Sequence, residues 1–359
     1  MRPNVAIVRL RQGFGRSNSM WQSKIITGAL SFALVTSPSI AAATGQRDCP
    51  DPSTFPVSER MARFLDARRF PDFYLTCGHR GMWYKFPENT APAIEEAIRI
   101  GIDCVENDIR ATKDGVLVMF HDKELRARLY DPATGQPASG NLSDLTWAEL
   151  SKLRYLDRDS NKTDYPVLTF EEFLSLTNDR LVVNHEDKTK DPAIVRAAIQ
   201  MVKDKGRLSQ SIFKGRFTLQ QFRQIIDGVV SEDQIIFTPV IFQDTPNYQQ
   251  VFDEYWNAGY RNYELVVQKP NSPLLALVKR VRDNGGRLGQ FDVLPETGRG
   301  SFWVGQWRDP ADGFVGYDFR SDWDFLIDVS QANYLISDRP CLMIQYLAKR
   351  NRRTLDPVH

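Results

Sequence analysis

Two of the four histidines in this chain lie in a short run with an arginine and an acidic pair. The residues are His79, Arg80, Glu106, Asp108 and His121, each placed where an apolar, strand-like segment ends. Histidine exchanges protons near neutral pH, arginine presents a planar fork to phosphate oxygens, and carboxylates hold hard cations. Cleavage of a phosphodiester needs a base, an acid and positive charge near the phosphorus oxygens. The run therefore predicts phosphodiester chemistry, with His79 and His121 as the acid–base pair.

The acidic residues predict a cation site. Glu106 and Asp108 are two residues apart in a predicted strand, so both carboxylates point to the same face. Two neighbouring ionised carboxylates repel each other unless a positive group lies between them, and Mg²⁺ or Ca²⁺ would serve. Glu186 is a candidate third ligand, and Lys188 shares its parity in the strand. The alternative is a carboxylate network that Arg80 and Lys188 neutralise without a metal.

The remaining polar residues of this region are ambiguous or structural. Thr90 is predicted to cap a helix. Glu88 and Asn89 either bind the ligand or position the loop, and Glu88 is the better candidate for facing the site. His185 has the opposite strand parity to Glu186, so it is predicted to face away from the site in a structural role.

From about residue 70 onward, short apolar runs alternate with amphipathic stretches, which predicts a parallel sheet with helical crossovers. Eight strand–helix repeats predict a single-domain α/β fold, the closed TIM-type (β/α)8 barrel, with long loops over its C-terminal mouth. A doubly wound open sheet is the competing architecture, but the first turn lacks a G-x-G-x-x-G pattern. The predicted strands are Phe73–Gly78, Asp103–Ile109 continuing to Val116–Phe120, Arg180–Glu186, Ser209–Lys214, Gln234–Ile241, Arg261–Val267, Arg287–Val293 and Asn333–Ser337.

The N-terminal residues have the features of an export signal. A basic leader precedes an uncharged stretch from Ile25 to about Ala43, which ends in small residues and is too polar for a good membrane-spanning helix. Met20 is an alternative start. We expect a periplasmic or secreted protein, and a formal net charge of +1 gives no argument for nucleic-acid binding. The expected segments are a cleaved signal peptide (1–43), a lead-in segment (44–72), the barrel (73–350) and a C-terminal tail (351–359).

Four cysteines are compatible with export. A bridge between Cys49 and Cys341 would tie the two ends of the domain together. Cys77 and Cys104 precede His79 and Glu106 by two residues, so both are predicted to point inward beneath the site. We expect this second pair to be buried thiols rather than a disulfide.

Taken in order, the motifs resemble the glycerophosphodiester phosphodiesterase family from about residue 74 to 345. They are Gly78–Gly81, Pro87–Thr90, Glu106-x-Asp108, Asp114-Gly115, His121-Asp122, Leu145-Thr146, Glu149-Leu150, Pro166–Leu174, Asn184-x-Glu186-x-Lys188 and Ile336–Pro340. The resemblance implies a TIM-type barrel that hydrolyses glycerophosphodiesters to glycerol 3-phosphate and an alcohol. In such enzymes the glycerol 2-hydroxyl is thought to attack phosphorus, and water then opens the cyclic phosphate.

The resemblance also assigns roles to individual residues. It implies one divalent cation and an acid–base pair of histidines, with two basic side chains near the phosphate. The residues are Glu106, Asp108 and Glu186 for the metal, His79 and His121 for proton transfer, and Arg80 and Lys188 for the phosphate. The partner it implies is a small-molecule glycerophosphodiester.

The second half of the chain departs from the family pattern. Gln290–Val293 stands in place of a Trp-Thr-x-Asn signature, which leaves the alcohol head group open. Aromatic residues from Phe302 to Phe325 could form a membrane-touching lip, as in a related barrel acting on intact lipids, although we expect them to pack on the barrel. A binding protein that has lost catalysis is the other alternative, but every proposed metal ligand and both histidines are present.

Overall fold

The computed structural model describes residues 55–126, 128–267, 271–292 and 323–352, and the structural statements below concern those residues. Eleven β-strands form within them. Their bounds are β1 (Leu75–Gly78), β2 (Cys104–Ala111), β3 (Leu117–Met119), β4 (Leu129–Tyr130), β5 (Arg154–Tyr155), β6 (Val182–Asp187), β7 (Ser211–Gly215), β8 (Ile236–Phe242), β9 (Asn262–Val266), β10 (Arg287–Asp292) and β11 (Tyr334–Ser337).

Eight of the strands close into a parallel barrel. β2 pairs with β6, and pairing then continues in chain order from β6 to β11. β1 pairs with both β11 and β2, which closes the barrel. β3 turns back antiparallel onto the end of β2. The TIM-type barrel is thereby confirmed, and the open-sheet alternative is excluded.

The helices cover the outside of the barrel, where their apolar faces pack against the outward side chains of the strands. Capping boxes open α3 and α4, and in the second Thr169 N donates to Glu172 Oε2 over 2.8 Å while Glu172 N donates to Thr169 Oγ1 over 3.2 Å. No helix within the described ranges is long and apolar enough to cross a membrane. The helices are α1 (Val57–Leu65), α2 (Ala91–Arg99), α3 (Trp147–Leu150), α4 (Phe170–Thr177), α5 (Pro192–Asp204), α6 (Leu219–Ile226), α7 (Tyr248–Asn257), α8 (Leu275–Asp283) and α9 (Pro340–Lys349).

Helix α1 closes the N-terminal end of the barrel. Met61 and Phe64 join the inward side chains of the strands in one buried cluster. Arg287, 1% exposed, donates from Nε to the Phe64 carbonyl over 2.8 Å and from Nη1 to the Phe73 carbonyl over 3.1 Å. The described part of the lead-in segment therefore plugs the end of the barrel opposite the predicted site.

The long connection between β3 and α4 has a small core of its own beside the barrel. It contains the antiparallel pair β4–β5 and buries Leu142, Tyr155 and Val167. The guanidinium of Arg158 lies 4.4 Å from the centre of the Tyr84 ring, so the connection borders the loop that follows β1. This places it at the C-terminal mouth, as predicted.

The predicted aromatic stretch is described only from Trp323 onward. Trp323 and Phe325 are 0% and 1% exposed and pack within the main hydrophobic core, where a π-helix spans Phe325–Val329. These two side chains therefore do not form a membrane-facing lip. The remainder of the stretch lies outside the described residues.

A disulfide joins the first two barrel strands. Cys77 and Cys104 are register partners on β1 and β2, both fully buried, with Cα atoms 4.2 Å apart. The prediction of two buried thiols is wrong, because facing side chains at one register position of adjacent strands are close enough to bond. Cys341 is buried in α9, and Cys49 lies outside the described residues, as does any bridge that involves it.

Candidate active site

The predicted site residues come together at the C-terminal ends of β1, β2, β3 and β6. The motif after β1 makes a tight turn, in which Arg80 and Gly81 adopt left-handed backbone conformations with φ of 53° and 79°. A Cβ atom on Gly81 would lie 3.0 Å from the Ala93 carbonyl oxygen, so only glycine lets this turn approach α2 so closely. The turn directs His79 and Arg80 toward the acidic end of β2.

Three carboxylates form a group that can hold a cation. Glu106, Asp108 and Glu186 each offer an oxygen, and the three oxygens lie within 4.8 Å of one another. Asp108 Oδ1 is buried without a hydrogen bond, although the Lys188 ammonium lies 3.2 Å away. Among the described residues, the basic side-chain nitrogens nearest to the Glu106 carboxylate are His79 Nε2 and Lys214 Nζ, both 3.9 Å distant. This donor set fits one divalent cation bound through oxygen.

The pKa values of the two carboxyl groups on β2 shift in opposite directions. Burial, followed by the Asp108 charge, raises the pKa of Glu106. Burial alone would also raise the pKa of Asp108, but the charges of Lys188 and Arg80 outweigh it and lower that pKa. Asn89 fixes Asp108 further, because its Nδ2 donates to Asp108 Oδ2 over 2.8 Å. Asn89 is thus a positioning residue for the cation site.

His79 is held by a carboxylate that sequence reasoning left unassigned. Its Nδ1 lies 2.5 Å from Oδ1 of Asp338, a residue that is 2% exposed, and the indole N–H of Trp83 donates to the same oxygen. Arg80 Nε lies 3.2 Å from His79 Nε2. We assign the proton to Nδ1 and the lone pair to Nε2 from this pattern. Burial, then the Arg80 charge, lowers the pKa of His79 despite the Asp338 carboxylate, so the ring is neutral at neutral pH.

Arg80 is oriented by Glu88. The Nη1 atom of Arg80 lies 2.6 Å from Glu88 Oε2, and its Nε lies 3.2 Å from Asp108 Oδ2. Burial opposes the charge of Arg80, but the Glu88 and Asp108 carboxylates outweigh it and raise the pKa of the guanidinium. Glu88, which is 3% exposed, therefore holds the Arg80 guanidinium in place. In the described part of the chain Nη2 of Arg80 makes no hydrogen bond and can take a phosphate oxygen.

His121, the second candidate, is more accessible than His79, with side-chain exposures of 30% and 11%. Its Nδ1 lies 2.6 Å from Asp122 Oδ1, and Arg128 Nε donates to Asp122 Oδ2 over 2.7 Å. Arg128 Nη1 also lies 3.6 Å from Glu88 Oε2. Each candidate catalytic histidine thus has its own carboxylate, and Arg128 links Asp122 to Glu88, the partner of Arg80.

Two lysines approach the third carboxylate. Lys188 Nζ lies 2.7 Å from Glu186 Oε1, and Lys214 Nζ lies 2.7 Å from Glu186 Oε2. The opposing charges outweigh burial and lower the pKa of Glu186. The predicted network of carboxylates with Arg80 and Lys188 is therefore present, and it leaves donor oxygens for a cation. Sequence reasoning missed Lys214, although its place at the end of a predicted strand was a usable signal.

His185 faces away from this group, as its strand parity predicted. It is 1% exposed and packs edge-to-face against Phe170 and Phe173 of α4 and, with a tilted ring, against Phe213 of β7. Burial lowers the pKa of His185 to about 3, so it is a neutral core side chain.

Comparison with known proteins agrees with this geometry. The sequence profile of the glycerophosphoryl diester phosphodiesterase family matches residues 79–290. Glycerophosphodiester phosphodiesterase GDPD6 of Arabidopsis thaliana is 34% identical over 143 residues, 34% of this chain and 38% of the relative. Glycerophosphodiester phosphodiesterase 1 of Homo sapiens is 36% identical over 104 residues, 29% of each chain. The matched part thus spans well under half of these curated relatives.

Solved structures share the fold. A glycerophosphoryl diester phosphodiesterase from Parabacteroides distasonis ATCC 8503 superposes with a TM-score of 0.60 at 19% identity, covering 85% of this chain and 94% of that chain. A phosphodiesterase from Oleispira antarctica, solved with the product sn-glycerol-3-phosphate, gives 0.55 at 16% identity, covering 79% and 99%. At these identities the structures establish the barrel. Because the family profile covers more than half of the sequence, this chain belongs to the glycerophosphoryl diester phosphodiesterase family.

Proposed function

We propose that this protein hydrolyses glycerophosphodiesters to glycerol 3-phosphate and an alcohol. The observation that carries the proposal is the convergence at one barrel mouth of two carboxylate-supported histidines and three clustered carboxylates. Arg80 and Lys188 add positive charge at the same place. The expected partner is a small molecule, nucleic acid is not expected to bind, and membrane contact is not favoured.

Glu106, Asp108 and Glu186 would hold one divalent cation, Mg²⁺ or Ca²⁺. When bound, the cation would withdraw negative charge from the phosphorus oxygens and so lower the barrier to attack. Arg80 and Lys188 bind the non-bridging oxygens from two sides and hold phosphorus in line with the attacking oxygen. Glu88 contributes to phosphate binding by fixing the fork of Arg80.

His79 serves as the general base in the first step. Its Nε2 takes the proton of the glycerol 2-hydroxyl while the new O–P bond forms, and Asp338 stabilises the resulting imidazolium. His121 gives a proton to the leaving alcohol as the old P–O bond breaks. In the second step His121 removes a proton from water, which opens the cyclic phosphate, and His79 returns its proton to the 2-oxygen.

Export of the protein, to the periplasm or the medium, remains part of the proposal. It is supported by the signal-like residues 1–43 and by the buried Cys77–Cys104 disulfide, since such bonds persist in oxidising compartments. N-terminal sequencing of the mature protein tests it: the first residue should lie shortly after Ala43, and retention of the leader would contradict export.

The activity is tested by measuring glycerol 3-phosphate release from several soluble glycerophosphodiesters by the native protein and its His79→Ala and His121→Ala variants. Either variant should lose at least roughly 100-fold in kcat, as expected for removal of an acid or a base. Full activity in either variant would refute the two-histidine mechanism. A parallel assay on phospholipid vesicles separates the lipid-acting alternative, which predicts faster turnover on vesicles than on the deacylated compounds.

A further inference from the structure

Lys214 is a buried cation that the catalytic steps above do not use. It is 6% exposed, lies on β7, and its ammonium group is surrounded by carboxylates. Its Nζ lies 2.7 Å from Glu186 Oε2, 3.5 Å from Glu264 Oε2 and 3.9 Å from Glu106 Oε1. Glu264, on β9, is 2% exposed, and Lys214 is the one cation that approaches within 4.0 Å of it in the described part of the chain.

These charges need an explanation, because layers of side chains inside a TIM-type barrel are usually apolar and branched. Glu106, Lys214 and Glu264 come from alternate strands of the barrel, β2, β7 and β9. Removing charged groups from water is unfavourable, and an apolar set of similar volume is often at least as stable as a buried ion pair. Fold stability alone therefore does not account for Lys214 and Glu264. Lys214 connects the pair to the cation site, because its Nζ contacts both Glu264 and Glu186.

The charged groups around the cation site carry a net negative charge that matches one divalent cation. Four carboxylates surround two ammonium groups, so the formal charge is −2 when all four carboxylates are ionised, as those that bind a metal must be. Arg80 does not change this balance, because Glu88 offsets its charge. One divalent cation would neutralise the cluster. The carboxylates are Glu106, Asp108, Glu186 and Glu264, and the ammonium groups are Lys188 and Lys214.

We propose that Lys214, clamped by Glu264, is a built-in counter-cation that sets the affinity of the cluster for a single divalent cation. It shares Glu186 with the metal site, as a second metal would in phosphodiesterases that use two metals about 3.5–4 Å apart. Lys214 is a positioning residue, since it is 6% exposed and acts on the cation site through Glu186. The inference rests on the metal-dependent function proposed above and adds two residues that the catalytic steps do not involve.

The proposal predicts metal affinities that change in opposite directions. Glu264→Gln removes a negative charge and should weaken divalent-cation binding about tenfold or more, because a unit charge a few ångströms from a divalent ion acts strongly in a buried site. Lys214→Met removes a positive charge and should tighten binding about tenfold or more by the same argument. The double variant restores the balance, so its affinity should return to within about threefold of the native value.

Calorimetric titration of Mg²⁺ into the metal-free native protein and these three variants provides the test. Lys279→Met is the matched control, because Lys279 pairs with Asp283 on the exposed face of α8 and should leave the affinity unchanged. Circular dichroism verifies folding. If Lys214→Met does not fold, the same contrast is read between Glu264→Gln and the double variant, and the double variant should bind Mg²⁺ more tightly.

Weaker binding in both single variants, or unchanged binding in both, would overturn the proposal. So would unchanged metal affinity in Lys214→Met combined with a raised KM, since Lys214 would then contact the substrate. Absence of Mg²⁺ and Ca²⁺ binding by the native protein would refute the metal site and this inference with it. If the native protein binds the cation but the affinities of the two single variants do not shift in opposite directions, only the role given to Lys214 and Glu264 is refuted.

Discussion

Asp338→Asn is the substitution that most sharply tests how His79 is activated. The Asp338 carboxylate lies 2.5 Å from His79 Nδ1 and is 2% exposed, so water does not replace it. A hydrogen bond to a charged group contributes about 1.5–3 kcal/mol. At about 1.36 kcal/mol per tenfold, the loss corresponds to a fall in kcat of roughly 10- to 150-fold. KM should change little, because Asp338 supports the base and does not bind the phosphate.

The pH profile provides a second readout of the same substitution. The Asp338 carboxylate raises the pKa of His79 against the larger effects of burial and Arg80. Its removal therefore lowers that pKa further. A general base works when deprotonated, so the acidic limb of kcat/KM should move to lower pH.

The control is Asp328→Asn, which makes the same chemical change in a partly exposed ion pair with Arg350. It should leave kcat within about twofold, because exposed pairs contribute little. Native kcat in a folded Asp338→Asn protein, or a shift of the acidic limb to higher pH, would refute the role given to Asp338.

Three further substitutions test the site and its scaffold. Glu186→Gln should weaken divalent-cation binding by at least roughly tenfold in calorimetry, because a ligand charge is lost, and native affinity would contradict its role as a ligand. The Cys77→Ala/Cys104→Ala double variant should lower the free energy of unfolding in urea by about 2–4 kcal/mol, and an unchanged midpoint would show that the bridge does not stabilise the barrel. Arg287→Met should lower it by roughly 2–4 kcal/mol, because buried carbonyls lose their donor, whereas the exposed control Arg223→Met should change it by less than about 0.5 kcal/mol.

The sequence predicted the barrel and the first half of the site because both depend on short-range patterns. Alternating apolar runs specify the strands, and the parity of Glu106 and Asp108 on one strand places both carboxylates on one face. Strand parity also predicted that His185, next to Glu186 on β6, faces away from the site, where it packs against Phe213. Such inferences need no knowledge of which distant segments meet.

Contacts between distant segments were the ones that sequence reasoning missed. Asp338 meets His79 across 259 positions of the chain, because β11 closes the barrel beside β1. Lys214 and Glu264 meet across the barrel interior, so the tilt of the strands decides that contact. The Cys77–Cys104 bond depends on the register between two strands, which parity alone does not determine. For Asp338, Lys214 and Glu264 the sequence did not indicate which residues meet, and for the cysteines it indicated the pair but not the bond.

The central claim is tested most directly by measuring glycerol 3-phosphate release from a soluble glycerophosphodiester. Release by the native protein is compared before metal removal, after chelation, and after re-addition of Mg²⁺ or Ca²⁺. The account predicts that release is abolished by chelation and restored by the added cation, because Glu106, Asp108 and Glu186 are left without the charge that balances them. Full release by the chelated protein, or no release in any state, would contradict it.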